Sequence, residues 1–311
     1  MKLKLDIKSN ALDSFNEALS KFESGEKGDI KSFKFSILHL SHCIELVLKM
    51  YIQTLDEDLV YFKCYKKLIQ KAKEANVDLL AAYKLLEESE FDFSTLINGH
   101  TNPYTITVDH VILIAKNEIC GTTGNKFVEQ DFIDDINWMK GLRNSIEHYE
   151  FEFTVKEVRL CIGRLVRGLD EFTDVFSLFN LESEVGKDKF HVFSVLADEY
   201  KQTLSEAHHE VKETEDALYR RARYKEQMFI EWNVYQCPEC SNNTMIPNEE
   251  SGTGCKCTFC SNEESDEIEI PCDFCGAMAS AEEMATWEMD DGTIENRCYL
   301  CSGQYYADKD D

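Results

Sequence analysis

The chain has 311 residues, 43% of them hydrophobic, with only 14 glycines and four prolines. That excludes a collagenous or low-complexity chain and wholesale disorder, and it leaves room for about two domains with real cores. Lys and Arg number 33 against 59 Asp and Glu, and a formal charge of -26 spread evenly would repel a phosphate backbone, which excludes a DNA-coating role.

The start, Met1-Lys2-Leu3-Lys4-Leu5-Asp6, holds no apolar core of secretory length, and no apolar run approaches the roughly 20 residues of a bilayer span. The expectation is a cytoplasmic protein with no membrane partner. Thiols stay reduced there, so 13 cysteines point to metal ligands and a few buried thiols, not to disulfides.

Through residue 236 the apolar residues recur at helical spacing, as in Phe33, Ile37, Leu40, Ile44 and Val47, and Pro103 is the only proline. The pattern predicts helices over about 9–23, 29–54, 60–74, 78–89, 108–118, 128–141, 154–180 and 190–231. Asn98-Gly99-His100 and Asn102-Pro103 combine turn-favouring pairs and predict a loop. The Glu- and Lys-rich segment 190–231 is either an arm leading to the last quarter or one more bundle helix. The expected fold is mainly α. A helical bundle occupies 1–185, a long connecting helix 186–234, and a small cysteine-rich β module with an acidic tail 235–311.

Between the helices predicted at 128–141 and 154–180 stands Leu142-Arg143-Asn144-Ser145-Ile146-Glu147-His148. Taken alone, an Arg and a His five apart is weak evidence, and it reads first as an ordinary satisfied or exposed histidine. The form Leu-Arg-Asn-x-x-x-His, set between helices of an all-helical region, resembles the R-x4-6-H signature of the HEPN superfamily, with the polar residue after Arg that its ribonuclease members favour. Leu40 to Met50, with Glu45 and Lys49, resembles an early helix of that superfamily. The resemblance covers residues 10–180, with a loosely matched middle. It implies a metal-independent endoribonuclease, usually a homodimer, in which motifs from two protomers line one cleft. Many members are toxins or effectors of antiphage defence, and some only bind.

The chemistry also follows from the residues. RNA carries its own nucleophile, the 2′-OH, so cleavage needs a group that moves protons near neutrality and a cation for the phosphorane. His148 suits the first role and Arg143 the second, since imidazole titrates at about 6.5 and a guanidinium forms a fork with phosphate oxygens. Asn144 either orients the phosphate or the histidine, or caps the following helix. Arg159, Arg164 and Arg167, just beyond the motif, are candidates for phosphate contact with RNA.

Other polar features carry less. Glu45 and Lys49, four apart, read as a surface ion pair before an active-site pair. His39 and His42 lie three apart, but most such pairs bind no metal. Tyr219-Arg220-Arg221-Ala222-Arg223-Tyr224-Lys225 can track RNA, yet reads better as a solvated face balancing Glu213 and Glu215. No G-x-x-x-x-G-K phosphate loop occurs.

Cys43, Cys64, Cys120 and Cys161 are scattered, and the other nine crowd residues 237–311. That segment holds 18 acidic against three basic residues, net -15, leaving 41 against 30 for residues 1–236. Its four pairs, Cys237-Pro-Glu-Cys240, Cys257-Thr-Phe-Cys260, Cys272-Asp-Phe-Cys275 and Cys298-Tyr-Leu-Cys301, each let a tight turn aim two thiolates at one ion. The pattern resembles tandem zinc ribbons. Sequential pairing groups Cys237, Cys240, Cys257 and Cys260 around one Zn²⁺, and Cys272, Cys275, Cys298 and Cys301 around a second. Interleaved pairing, or Cys255 in place of Cys257, stays open. A four-thiolate shell leaves no open position, so two structural zinc ions per chain and no catalytic metal are expected. The loops carry Glu249, Glu250, Glu263, Glu264, Asp266, Glu267 and Glu269 where a nucleic-acid ribbon would be basic, so protein contact is the expected use of the ribbons.

Two functions follow. One is an RNA-cutting enzyme acting through Arg143 and His148, and the other is a non-catalytic dimeric adaptor whose ribbons bind a protein.

Overall fold

The computed structural model describes residues 5–99, 104–119, 125–148, 151–222, 232–248, 251–265, 269–280, 283–289 and 294–303. The Asn102-Pro103 turn, Cys120, Arg223, Tyr224, Lys225, Glu249, Glu250, Asp266 and Glu267 lie outside the described residues. The chain divides into two compact units, Met1–Tyr200 and Lys201–Asp311.

The first unit is helical: α1 (Ile7–Glu26), α2 (Lys31–Leu55), a 3₁₀ turn (Glu57–Val60), α3 (Phe62–Ala75), α4 (Leu79–Glu88), α5 (Ser94–Ile97), α6 (Val108–Ala115), α7 (Gln130–His148), α8 (Val155–Val175) and α9 (Leu181–Val185). α10 (Lys187–Arg221) begins in this unit and continues into the second. The starts follow from local chemistry. Asp6 and Asp78 accept the backbone N–H of Ser9 and Ala81, and Thr154 with Glu157 forms a capping box on α8.

α2 is the central helix, packed along α1 and also against α6, α7 and α8. Its Ile37, Leu40, Leu48, Tyr51 and Ile52 are almost fully buried, each contributing about 2 kcal/mol by removal from water. Among the described helices α2 alone is long and apolar enough to cross a membrane, and more than half of its most apolar stretch is buried inside this unit.

Two helix ends differ from the sequence expectation, and a third segment takes one of its two expected forms. The helix expected to stop at 141 runs on through the Arg-His motif to His148, because Leu142 and Ile146 continue the buried stripe of Ile136 and Met139. The helix expected to reach 180 stops at Val175, and Ser177 follows with φ 51° in the left-handed region. Segment 190–231 begins as a bundle helix, burying Phe193, Leu196 and Tyr200.

α8 and α10 meet backbone to backbone. A Cβ on Gly163 would stand 2.0 Å from the Leu196 carbonyl oxygen and 2.6 Å from its carbon, so only hydrogen fits there. Gly163→Ala should lower stability by about 3 kcal/mol, since helix backbones and not a flexible side chain must move apart. Chemical denaturation checks this, and a change within about 0.5 kcal/mol would contradict the contact.

Among its described residues the second unit holds three small antiparallel sheets. β1 (Tyr235–Gln236), β2 (Asn243–Pro247), β3 (Gly254–Cys257) and β4 (Glu263–Ser265) form a meander in that order, with Met245 opposite Cys257 and Lys256 opposite Glu263. β5 (Glu269–Pro271) pairs with β6 (Met278–Ser280), and β7 (Ala285–Glu288) pairs with β8 (Ile294–Arg297). Within this unit Ala207 and Val211 of α10 are buried, and the Thr258 hydroxyl donates to the Ala207 carbonyl at 3.0 Å.

Candidate functional site

The Arg-His motif occupies the last turns of α7. Arg143 is half-buried: one guanidinium N–H donates to Glu45 of α2 at 2.8 Å, and Nε donates to Glu147, one turn on, at 3.2 Å. Glu45 also accepts from Lys49 at 2.7 Å, and Lys49 reaches the Thr105 hydroxyl at 3.2 Å. The Glu45-Lys49 pair read from sequence as an ordinary surface pair is thus a part-buried bridge to Arg143. Burial acts to lower the Arg143 pKa, but the hydrogen bonds to Glu45 and Glu147 outweigh it and raise the group above its ordinary value. Burial likewise acts to raise Glu45, and Lys49 with Arg143 overrides it and holds the carboxylate below its usual range.

Asn144 and His148 are exposed. Asn144 lies inside α7 and caps no helix; Thr154 caps α8 instead. Five residues of α-helix rotate a side chain by about 500°, which leaves Arg143 and His148 about 140° apart around the axis. A single copy therefore points its Arg and its His in different directions.

His42 faces the same side of α2, with Nδ1 2.9 Å from the Ser14 hydroxyl. Burial depresses its pKa, with Arg143, His39 and Lys49 acting the same way against Glu45. A histidine depressed in the fold is neutral there while the unfolded chain protonates. Its contribution is therefore full above the ordinary value of about 6.5 and is lost as pH falls below that toward the folded value. The melting temperature should drop on acidification through this window, and less so in His42→Gln. Equal slopes for the two proteins would refute the assignment.

The three arginines proposed for phosphate contact are already engaged. Arg164 is 2% exposed and donates from Nε to Asp135 at 2.6 Å, with its guanidinium 4.4 Å over the Trp138 ring. Arg167 bonds the other oxygen of Asp135 and lies 5.2 Å over Tyr200. Arg159 meets Glu199 at 2.9 Å and Glu26 at 3.3 Å. Arg164 is an interior cation and offers no surface to RNA, Arg167 is part-buried beside it, and Arg159 is a surface bridge between Glu199 and Glu26. The signal was available for Arg164: it sits at helical spacing from Leu160, Cys161 and Gly168 on the buried face of α8.

Among the described residues two groups can hold a metal, and they are the two sequential sets, Cys237, Cys240, Cys257, Cys260 and Cys272, Cys275, Cys298, Cys301. All ligand atoms in a set lie within 4.8 Å of one another. The pairs Cys237–Cys260, Cys240–Cys257 and Cys275–Cys298 are 3.6, 3.8 and 3.8 Å apart, close to the roughly 3.8 Å edge of a tetrahedron with metal–sulfur bonds of about 2.3 Å. The donor set and spacing fit a structural ion such as zinc. Cys255 is buried on the same face of β3 as Cys257 and belongs to the small core with Met245, outside the ligand set. His39 and His42 belong to neither set.

Each knuckle closes alike: the N–H of Ser241, Ser261, Gly276 and Ser302 donates to the carbonyl of Cys237, Cys257, Cys272 and Cys298. The turn takes Ser241 and Ser261 to φ 54° and 64° and Gly276 to 72°. Further hydrogen bonds point at sulfur, from the Cys260 N–H to Cys257 and from the Cys298 N–H to Cys272. The last of these leads the causes that draw the Cys272 thiol down to about 6, favouring the thiolate that a metal needs.

Protein-family models, curated proteins and solved structures give no match to this chain.

Proposed function

We propose that the helical unit is an HEPN-like endoribonuclease that cuts RNA by 2′-OH attack without a catalytic metal, acting as a cytoplasmic homodimer in a toxin or antiphage-defence role. The observation that carries the reading is the Arg143 network. A cation fixed by Glu45 stands five residues before an exposed histidine on one helix. Arg143 keeps its charge and its direction, and Glu147, an exposed partner at a longer 3.2 Å, is the one that a phosphate oxygen replaces. His148 moves the proton of the 2′-OH or of the leaving 5′ oxygen.

The diverging directions of Arg143 and His148 favour a composite site. A two-fold axis beside the end of α7 sets the Arg of one protomer against the His of its partner, and an isologous interface does so with no further sequence. The two cysteine sets each hold one Zn²⁺ that maintains the ribbon fold.

The test is incubation of total RNA with the protein and with His148→Ala, followed by mapping of 2′,3′-cyclic phosphate ends. Cleavage by the unaltered protein alone is expected, and it should survive brief EDTA treatment. Equal cleavage by both proteins would sink the assignment. A second reading, a non-catalytic dimeric adaptor, is favoured by one observation: both hydrogen-bonded edges of Arg143 already face carboxylates. Intact RNA together with a Glu45-dependent dimer would establish that reading instead.

A further inference from the structure

The two ribbons share a knuckle design but differ in what lies over the metal end. In the first, Thr258 of the second knuckle bonds the α10 carbonyl of Ala207, Ala207 and Val211 are buried, and Phe259 is half-buried. A helix presenting small and aliphatic residues therefore covers that end. In the second ribbon the positions matching Thr258 and Phe259 are Tyr299 and Leu300, exposed by 42% and 62%, and Phe274 of its first knuckle, where the first ribbon has the exposed Glu239, is exposed by 71%. Met278 and Trp287 add 55% and 42% exposure next to them in chain and sheet.

Phe274, Tyr299 and Leu300 are spacers of the two knuckles of one sulfur set, and Trp287 joins Phe274 through Arg297, whose guanidinium lies 5.6 Å from the Phe274 ring and 5.0 Å from Trp287. Arg297 is itself matched by Glu295 at 2.9 Å. Such a group of large apolar side chains at the surface marks an interaction site.

Charge identifies the class of partner. Residues 266–311 hold 13 acidic and two basic side chains, net -11, and an ion of charge +2 held by four thiolates adds two more negative charges. That field repels nucleic acid and attracts a basic surface.

We propose that the metal end of the second ribbon docks an amphipathic helix of a basic partner protein, seated on Phe274, Tyr299 and Leu300 as α10 is seated on the first ribbon. The apolar stripe of the helix covers the knuckle spacers, and its lysines or arginines are drawn by the net negative charge of residues 266–311. This holds whether or not the helical unit cuts RNA.

The test uses the full zinc-loaded chain and two labelled helical peptides of about 18 residues, one of leucine and lysine and one of leucine and glutamate, read by fluorescence anisotropy. The decisive variant is Leu300→Asp, with Phe274→Ser as an independent second and Tyr104→Ser, on the 88% exposed tyrosine of the helical unit, as control. Zinc content is read first, so that only proteins holding both ions are compared. The leucine–lysine peptide should bind, weaken about tenfold in Leu300→Asp and in Phe274→Ser, and be unaffected by Tyr104→Ser. The sign is informative, because Leu300→Asp adds a negative charge and would tighten a merely electrostatic association. Binding unchanged or tightened in Leu300→Asp overturns the proposal, as does no binding or equal binding of the leucine–glutamate peptide. A Leu300-dependent self-association would assign the face to a second copy instead. Leu300-dependent binding of a uridine oligonucleotide would assign it to RNA.

Discussion

Replacing Cys257 with serine should reduce the metal content from two ions to one, each cysteine set holding one Zn²⁺ as proposed, and unfold the first ribbon while the second stays intact. The buried core of that ribbon is Cys237, Cys240, Met245, Cys255 and Cys257, three of them ligands, so little apolar area remains once the ion is gone. A structural zinc supplies on the order of 10 kcal/mol of folding free energy in such modules, far more than one buried methionine can. Elemental analysis gives the metal count, and limited proteolysis should open residues 235–265 alone. Cys255→Ser is the matched control and should keep both ions. Two ions retained in Cys257→Ser would mean that Cys255 takes the vacant position. Because only the thiolate binds, acid should release both ions in the unaltered protein.

Arg143→Ala and His148→Ala should each lower RNA cleavage by about 10²- to 10⁴-fold, with the overall fold unchanged because both side chains reach solvent. Mixing the two inactive proteins under conditions that exchange subunits should then recover a measurable fraction. A mixed dimer retains one Arg143 and one His148, on opposite protomers, which is the only pairing that a composite site requires. Recovery would not occur if each protomer cut alone, since every chain in the mixture lacks one of the two groups. A protein that stays monomeric by light scattering at micromolar concentration while cutting at full rate would end the composite model.

Much of the helical unit could be read from the chain because its apolar stripes are long and uninterrupted. α1, α2, α3 and α4 lie within a few residues of their expected bounds. The end of α7 was misread because Gly141 and the polar run after it resemble a stop, whereas Ile146 still falls on the buried face and carries the helix onward. The short α5 and α9 have too few residues to show a period. The sulfur sets were legible because a two-residue spacer dictates geometry locally. The partnership of Glu45 with Arg143 was not, since 98 residues separate them and only the packing of α2 on α7 brings them to 2.8 Å.

The buried group of Asp135, Arg164 and Arg167 constrains how this sequence can drift. One carboxylate holds two guanidinium groups, so losing Asp135 removes a shared counter-charge from both cations at once, and losing Arg164 leaves Asp135 with a single partner in this group. Removing one member of a buried ion pair costs about 3–5 kcal/mol, while replacing all members with well-packed apolar residues is often neutral. Single steps out of the arrangement are thus closed and a concerted change is open, a fitness valley around three positions. Descendants of this chain should keep Asp135, Arg164 and Arg167 together or lose them together, and mixed states should be rare among them.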